Sequence, residues 1–212
     1  MALAVSGGVD SLAMVFLATE HNRRLKNRLQ MKAIHVCLDT DGETRGLRSD
    51  IVDWLSDREA EVVQVPPRFD GAQKAPLDCY TCSRARRRTL IESAERMGAR
   101  CVALGHHADD VVETWMLSLS YTGSGETMPP VRSYFDGVMR VVRPLYELRK
   151  REIRRLARLA EIPEPMGACG RESEARRNTI RAALAAFGRD QDLVRRQLYW
   201  AALRQLDPSG ED

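Results

Sequence analysis

With 212 residues, 43% of them hydrophobic, the chain can bury the core of one sizeable domain with room for a small appendage. Its apolar runs are strand-sized, none approaches the ~20 residues that span a bilayer, and the N-terminus lacks a charged segment leading to a cleavage site; a membrane protein is excluded and a cytoplasmic one expected. The net charge of +3 hides an asymmetry: Arg140 to Arg204 holds 16 Lys/Arg against 8 Asp/Glu, net +8, so the remainder sums to −5, and this basic third suits a polyanion such as nucleic acid as well as it suits solvated helix faces.

In chain order, Ala2 to Val5 is a short apolar strand and Leu12 to Ala18 reads as a helix, which makes Ser6-Gly7-Gly8-Val9-Asp10-Ser11 a strand-to-helix turn. Two glycines bring backbone N–H groups close to a ligand, and the helix that follows points its positive end at the same place, so the turn is an anion cradle. Ser6 and Ser11 add hydroxyls. Asp10 beside an anion calls for a divalent cation between them, and phosphate with Mg²⁺ is the natural pairing. The turn lacks the Gly-Lys-Ser/Thr ending of a Walker A loop, which argues for cleavage between the α and β phosphates of ATP rather than kinase or GTPase chemistry. Met1 stands so near the turn that the first strand is unusually short, and a segment upstream of it could be absent.

Lys32 to Asp39 reads as a buried strand ending in a carboxylate at the sheet edge where ligands bind in open parallel sheets. A helix over Gly46 to Glu59 and a strand over Glu61 to Val65 follow, giving β-α-β-α-β. Pro66-Pro67 then opens a loop that delivers Cys79-Tyr80-Thr81-Cys82 to the start of an Arg-rich helix running to about Met97. Two thiols spaced C-x-x-C among arginines at a helix N-terminus favour thiolate, and fit a redox pair, half a zinc site or half an iron–sulfur site. Five cysteines, an odd number without a signal peptide, argue against a disulfide framework; Cys37 and Cys101 fall in strands and read as small core hydrophobes.

Arg100 to Leu104 is the fourth strand, followed by Gly105-His106-His107-Ala108-Asp109-Asp110 and a helix from Val111 to Leu119. Adjacent carboxylates at a helix start serve as N-caps, or, facing the first turn across the sheet, hold Mg²⁺. Tyr121 to Asp136 reads as loop and Val138 to Val142 as the fifth strand. Beyond it, Lys150 to Ala160, Glu174 to Phe187 and Asp190 to Leu206 carry helical periodicity with arginines between the apolar positions. Between the first two of these helices, Cys169 stands in a Pro/Gly loop, placed like a ligand rather than like core.

Together, SGGVDS, C-x-x-C-S-R, G-H-H-A-D-D-V-V-E-T and a lone loop cysteine after R-P-L resemble the tRNA 2-thiocytidine synthetase family of PP-loop ATP pyrophosphatases over nearly the whole chain. The resemblance implies a three-layer α/β fold, adenine-nucleotide α-hydrolase-like and Rossmann-type, with an open, mainly parallel five-stranded sheet. Residues 1–145 would form the PP-loop nucleotide-binding domain and 146–212 a basic helical extension packed on it. ATP would lie on Ser6, Gly7, Gly8, Val9, Asp10 and Ser11 with Asp39, Gly105 and His106, while Asp10, Asp109 and Asp110 hold Mg²⁺ and serve catalysis. Cys79, Cys82 and Cys169 match the ligands of a 4Fe-4S cluster. The implied partners are tRNA, gripped by Arg84, Arg86, Arg87, Arg176 and Arg177, and a sulfur donor such as a cysteine desulfurase or free sulfide; a homodimer is among the expected assemblies. The implied reaction adenylates the C2 oxygen of an anticodon-loop cytidine and replaces it with sulfur.

The chain departs from the family pattern twice. Val9 stands where the loop usually has lysine, and Met166 fills the first place of a second C-x-x-C, leaving three cysteines. Three ligands on a cubane leave one iron open, whereas zinc wants a fourth. The rival functions are a PP-loop enzyme that thiolates another base or a small molecule, and a non-catalytic iron–sulfur or nucleic-acid-binding protein on the same fold.

Overall fold

The computed structural model describes residues 1–40, 43–69, 79–167 and 175–206. Their elements run β1 (Ala2–Ala4), α1 (Val9–Arg24), β2 (Lys32–Val36), β3 (Leu38–Thr40), β4 (Glu43–Arg45), α2 (Ser49–Ser56), β5 (Val62–Val65), α3 (Cys79–Arg96), β6 (Cys101–Ala103), α4 (Ala108–Tyr121), β7 (Val131–Tyr134), β8 (Met139–Val142), α5 (Lys150–Leu159), α6 (Ala175–Ala185) and α7 (Gln191–Arg204).

The main sheet has the order β5-β2-β1-β6-β8-β7, parallel throughout except for the β7–β8 pair. Its central strands are apolar without alternation because both faces are covered. Leu3, Ala33 and Ala103 pack with α1, α2 and α5 through Leu12, Ile51, Leu55 and Ile153, while Ala2, Ile34 and Val102 pack with α3 through Leu90 and Ala94. Neighbouring residues of one strand thus serve opposite layers, as the two-residue period of a strand requires. Beyond these layers, α6 and α7 pack on α4, with Ile180 and Leu184 against Val112 and Ala202 against Val111.

From β1 the chain builds outward to β2 and β5, then crosses back to lay β6 on the other side of β1. The C-terminal ends of β1 and β6 therefore flank the point where the strand order reverses. Loops leaving two adjacent parallel strands in opposite directions open a crevice there, the usual ligand position in such sheets.

The sheet has six strands where the sequence suggests five. The stretch Tyr121 to Asp136, expected to be loop, contributes β7 as an antiparallel edge, joined to β8 through Phe135, Asp136 and Gly137 at φ of 52°, 52° and 88°. Asp-Gly between short apolar stretches is a hairpin signal, but the exposure of Val131 to Ser133 on the edge hides the strand period. The second strand also stops at Val36, and Leu38–Thr40 pairs antiparallel with Glu43–Arg45 as a separate two-stranded sheet. Among the described residues no helix is long and apolar enough to cross a membrane.

Candidate active site

The turn after β1 is held by its own side chains. Ser11 Oγ donates to the Gly8 carbonyl at 2.8 Å and accepts from Ser6 N at 3.1 Å, and Gly8 N donates to Ser6 Oγ at 3.2 Å. The two serines thus staple the turn, and the first-turn N–H groups of α1, which have no partner within a helix, remain for a ligand. Buried His35 on β2 donates from Nδ1 to the Val5 carbonyl at 2.8 Å, and burial pushes its pKa down, so a neutral imidazole anchors the entry to the turn.

Glycine is obligatory at position 7. Its φ is +80°, and an added Cβ would lie 2.7 Å from Met166 Sδ and 3.1 Å from Leu47 Cδ2. Met166 N also donates to the Gly7 carbonyl at 2.9 Å, so the segment leading to Cys169 is laid directly against the turn. Gly105, just after β6, approaches from the other side: a Cβ there would come within 3.0 Å of the Asp10 carbonyl carbon and Ser11 N.

The three carboxylates expected to serve the site converge, each with a protein partner. Lys150 Nζ, from the first residue of α5, donates to Asp10 Oδ1 and Oδ2 at 2.6 and 2.5 Å. Asp109 Oδ2 accepts from Lys150 N at 2.8 Å and its Oδ1 from Arg195 Nη1 at 3.0 Å. Asp110 Oδ2 accepts from His107 N at 3.0 Å at the start of α4. Buried His107 sits among them, its Nε2 3.6 Å from Asp10 Oδ1 and 3.4 Å from Asp110 Oδ2. Asp10, His107, Asp109 and Asp110 line a cleft of ≈550 Å³ together with Lys150, Arg154 and Arg195, cations suited to a polyphosphate. Among the described residues no cluster of three metal-ligating side chains stands ready-made.

His106 lies behind this cluster with Nδ1 buried and unpartnered among the described residues. Burial brings its pKa down to about 4, with Arg143, Arg177 and His107 pushing the same way and Asp110 opposing. It is therefore neutral at physiological pH. Because the folded value lies below the usual 6.5, the unfolded chain binds more protons in this range, and the stability present above pH 6.5 is lost as pH falls toward 4. His106→Asn should flatten that loss; denaturant midpoints that fall equally in both proteins between pH 7 and pH 4.5 would contradict it.

Asp39 pairs through its backbone with Thr44 in the β3–β4 hairpin that follows β2. Cys79 opens α3 and Cys82 follows one turn on, half-buried; Cys169 lies outside the described residues. Cys37, just after β2, is buried and Cys101, on β6, half-buried, and burial pushes both thiols up, as core cysteines require. Arg84 and Arg87 are exposed on α3, while Arg86 is half-buried, its Nε without a partner among the described residues. Arg176 is exposed, its guanidinium 4.7 Å over the Tyr121 ring. Arg177 has a different duty: it stands 3.5 Å from buried Glu113, which Arg181 also holds at 2.9 Å.

Lys150, Arg195 and His107 are site residues that sequence reasoning passes over. Lys150 and Arg195 stand among many arginines on basic helices, and no local pattern marks either one.

The PP-loop domain family matches residues 1–186. The chain is a PP-loop protein. Within that family this PP-loop protein is 33% identical to the tRNA-cytidine(32) 2-sulfurtransferase of an Anaeromyxobacter species over 98% of its own length and 69% of the relative's. Enzymes of the same name from Marinobacter nauticus and Shewanella halifaxensis are 31% and 30% identical, each over 97% of this chain and 68% and 67% of their own. It belongs with these sulfurtransferases, as its motifs imply. Its fold is shared with the U34-tRNA thiolase NcsA of Methanococcus maripaludis, a structure solved with its 4Fe-4S cluster, at a TM-score of 0.69 and 20% identity, covering 97% of this chain and 71% of that one.

Proposed function

We propose that this PP-loop protein is an ATP-dependent tRNA sulfurtransferase that exchanges the C2 oxygen of an anticodon-loop cytidine for sulfur. ATP lies with its phosphates on the first turn of α1. The cytosine C2 oxygen attacks the α phosphorus, the bond from that phosphorus to the β-bridging oxygen breaks, and pyrophosphate leaves with the electron pair toward the α1 N–H groups and the cations of the cleft. The adenylated oxygen is then a good leaving group: a sulfide equivalent adds at C2 and AMP departs with the electrons of the C–O bond. Asp10, with Asp109 or Asp110, would hold Mg²⁺, which would supply charge neutralisation to the phosphates. A 4Fe-4S cluster on Cys79, Cys82 and Cys169 would supply an iron without a protein ligand to present that sulfide, drawn from a cysteine desulfurase or free sulfide.

The observation that carries this reading is the bond from Met166 N to the Gly7 carbonyl at 2.9 Å. Three residues before the third cysteine the described chain thus runs beside the nucleotide turn, which supports a role for that cysteine at the same site. The helix that Cys79 and Cys82 begin, α3, packs on β2 through Leu90 against Ile34 and Val36, which supports the same reading. The test is anaerobic incubation of the protein with cytidine-containing tRNA, Mg·ATP and sulfide, followed by nucleoside mass spectrometry and assay of pyrophosphate. 2-Thiocytidine with AMP and pyrophosphate is expected; a thiolated uridine, or ADP with phosphate, would overturn it.

The tRNA grip falls to the exposed arginines. Because α3 presents Arg84 and Arg87 to solvent beside the cysteines, their contacts would go to phosphates, which position without specifying sequence. Arg84→Ala and Arg87→Ala should each weaken tRNA binding about equally for all sequences and lower the slope of log affinity against log salt by about 1. Affinity indifferent to salt between 50 and 200 mM would show that these arginines are only solvated.

A further inference from the structure

The nucleotide turn, Ser6 to Ser11, contains no basic residue of its own. We infer that Lys150 is the cation of this turn, supplied from α5, and that it contacts the outer phosphates of the bound nucleotide. The inference rests on the ATP-cleaving function proposed above.

Three features fix the ammonium in place. Lys150 N is bonded to Asp109 Oδ2 at 2.8 Å, so the residue's backbone is tied to the helix that follows β6. Arg149 N donates to Glu152 Oε2 at 2.7 Å, which sets the start of α5, and fully buried Ile153, one turn on, sits in the same core cluster as Leu12 and Met14 of α1. The Nζ then lies 2.5 Å from Asp10 Oδ2 and 2.6 Å from Oδ1, within the turn itself.

An ammonium has three N–H donors, and Asp10 occupies two of them. The third is available to a phosphate oxygen. The side chains of Lys150 and Asp10 are 29% and 28% exposed and both line the polyphosphate cleft, so a ligand can reach the pair. Pairing also offsets the negative charge of Asp10 in the place where a triphosphate must approach. A lysine meant only to fasten α5 to α1 would serve as well under cover. This one is at the ligand's door.

The test titrates the whole protein with Mg·ATP and with AMP, which lacks the outer phosphates. Lys150→Gln is expected to weaken Mg·ATP binding about ten- to a hundredfold, the worth of one charge-assisted hydrogen bond, and to leave AMP binding unchanged. Val9→Lys introduced into Lys150→Gln should recover most of the loss. In the unaltered protein, Mg·ATP but not AMP should protect Lys150 from acetylation by acetic anhydride, read by mass spectrometry, a measurement that does not depend on the variant's folding. Equal Mg·ATP affinity in Lys150→Gln, failure of Val9→Lys to restore it, or acetylation of Lys150 unaffected by Mg·ATP would each overturn the assignment. Failure of the unaltered protein to bind Mg·ATP would instead overturn the ATP-cleaving function beneath it.

Discussion

Cys169→Ala is expected to abolish tRNA thiolation and iron binding together while Mg·ATP binding is retained. The unaltered protein should hold about four irons per chain when purified without oxygen. The separation of the two readouts follows from the structure: the nucleotide turn is stapled by Ser6 and Ser11 and braced by Gly105, none of which depends on a cysteine. Cys79→Ala and Cys82→Ala should behave alike. Cys37→Ala and Cys101→Ala should keep iron and activity, because burial holds both thiols in their neutral form. Should Cys169→Ala retain both iron and thiolation, the three-cysteine set is wrong and a persulfide relay between Cys79 and Cys82 becomes the better account.

Gly7→Ala is expected to lower pyrophosphate release by about a hundredfold or more, the scale of loss when a substrate cradle is displaced by an ångström. Two costs coincide there. The left-handed φ of +80° disfavours any side chain, by roughly 1–2 kcal/mol, and the new methyl would fall 2.7 Å from Met166 Sδ. Either the turn or the Met166 side chain must move, and both adjoin the site. Gly137→Ala separates strain from contact: its φ is +88°, yet nothing lies within 4 Å of where its Cβ would be, and it sits in the β7–β8 turn. That variant should lose stability and keep turnover. Equal turnover in Gly7→Ala and Gly137→Ala would remove the nucleotide role of the first turn.

The sequence announces the residues whose role is local. A strand, two glycines and a helix start in Ser6 to Ser11 are read from neighbours alone, as are the parallel strands, whose unbroken apolar runs have no other use. What it conceals is decided by distant parts of the chain. Arg177 and Arg195 look alike in sequence, but one answers a buried carboxylate on α4 and the other closes on Asp109. Asp109 and Asp110 are neighbours with different partners: Asp110 caps its own helix through His107 N, whereas Asp109 is assigned only by the approach of α5 and α7. The edge strand β7 escapes for the opposite reason: exposed on its outer side, it has little apolar period to show.

The bonds that close the cleft join residues far apart in the chain, Asp10 with Lys150 across 140 positions, Asp109 with Arg195 across 86 and Asp109 with Lys150 across 41. Contacts of such long range are made late in folding, after local helices and neighbouring strands have formed. On the ribosome the order is stricter still, because the turn precedes α5 and α7 in the chain and waits for both to be synthesised. Competence to bind nucleotide is therefore acquired last, and a chain interrupted before α5 would carry an intact signature in an unfinished site.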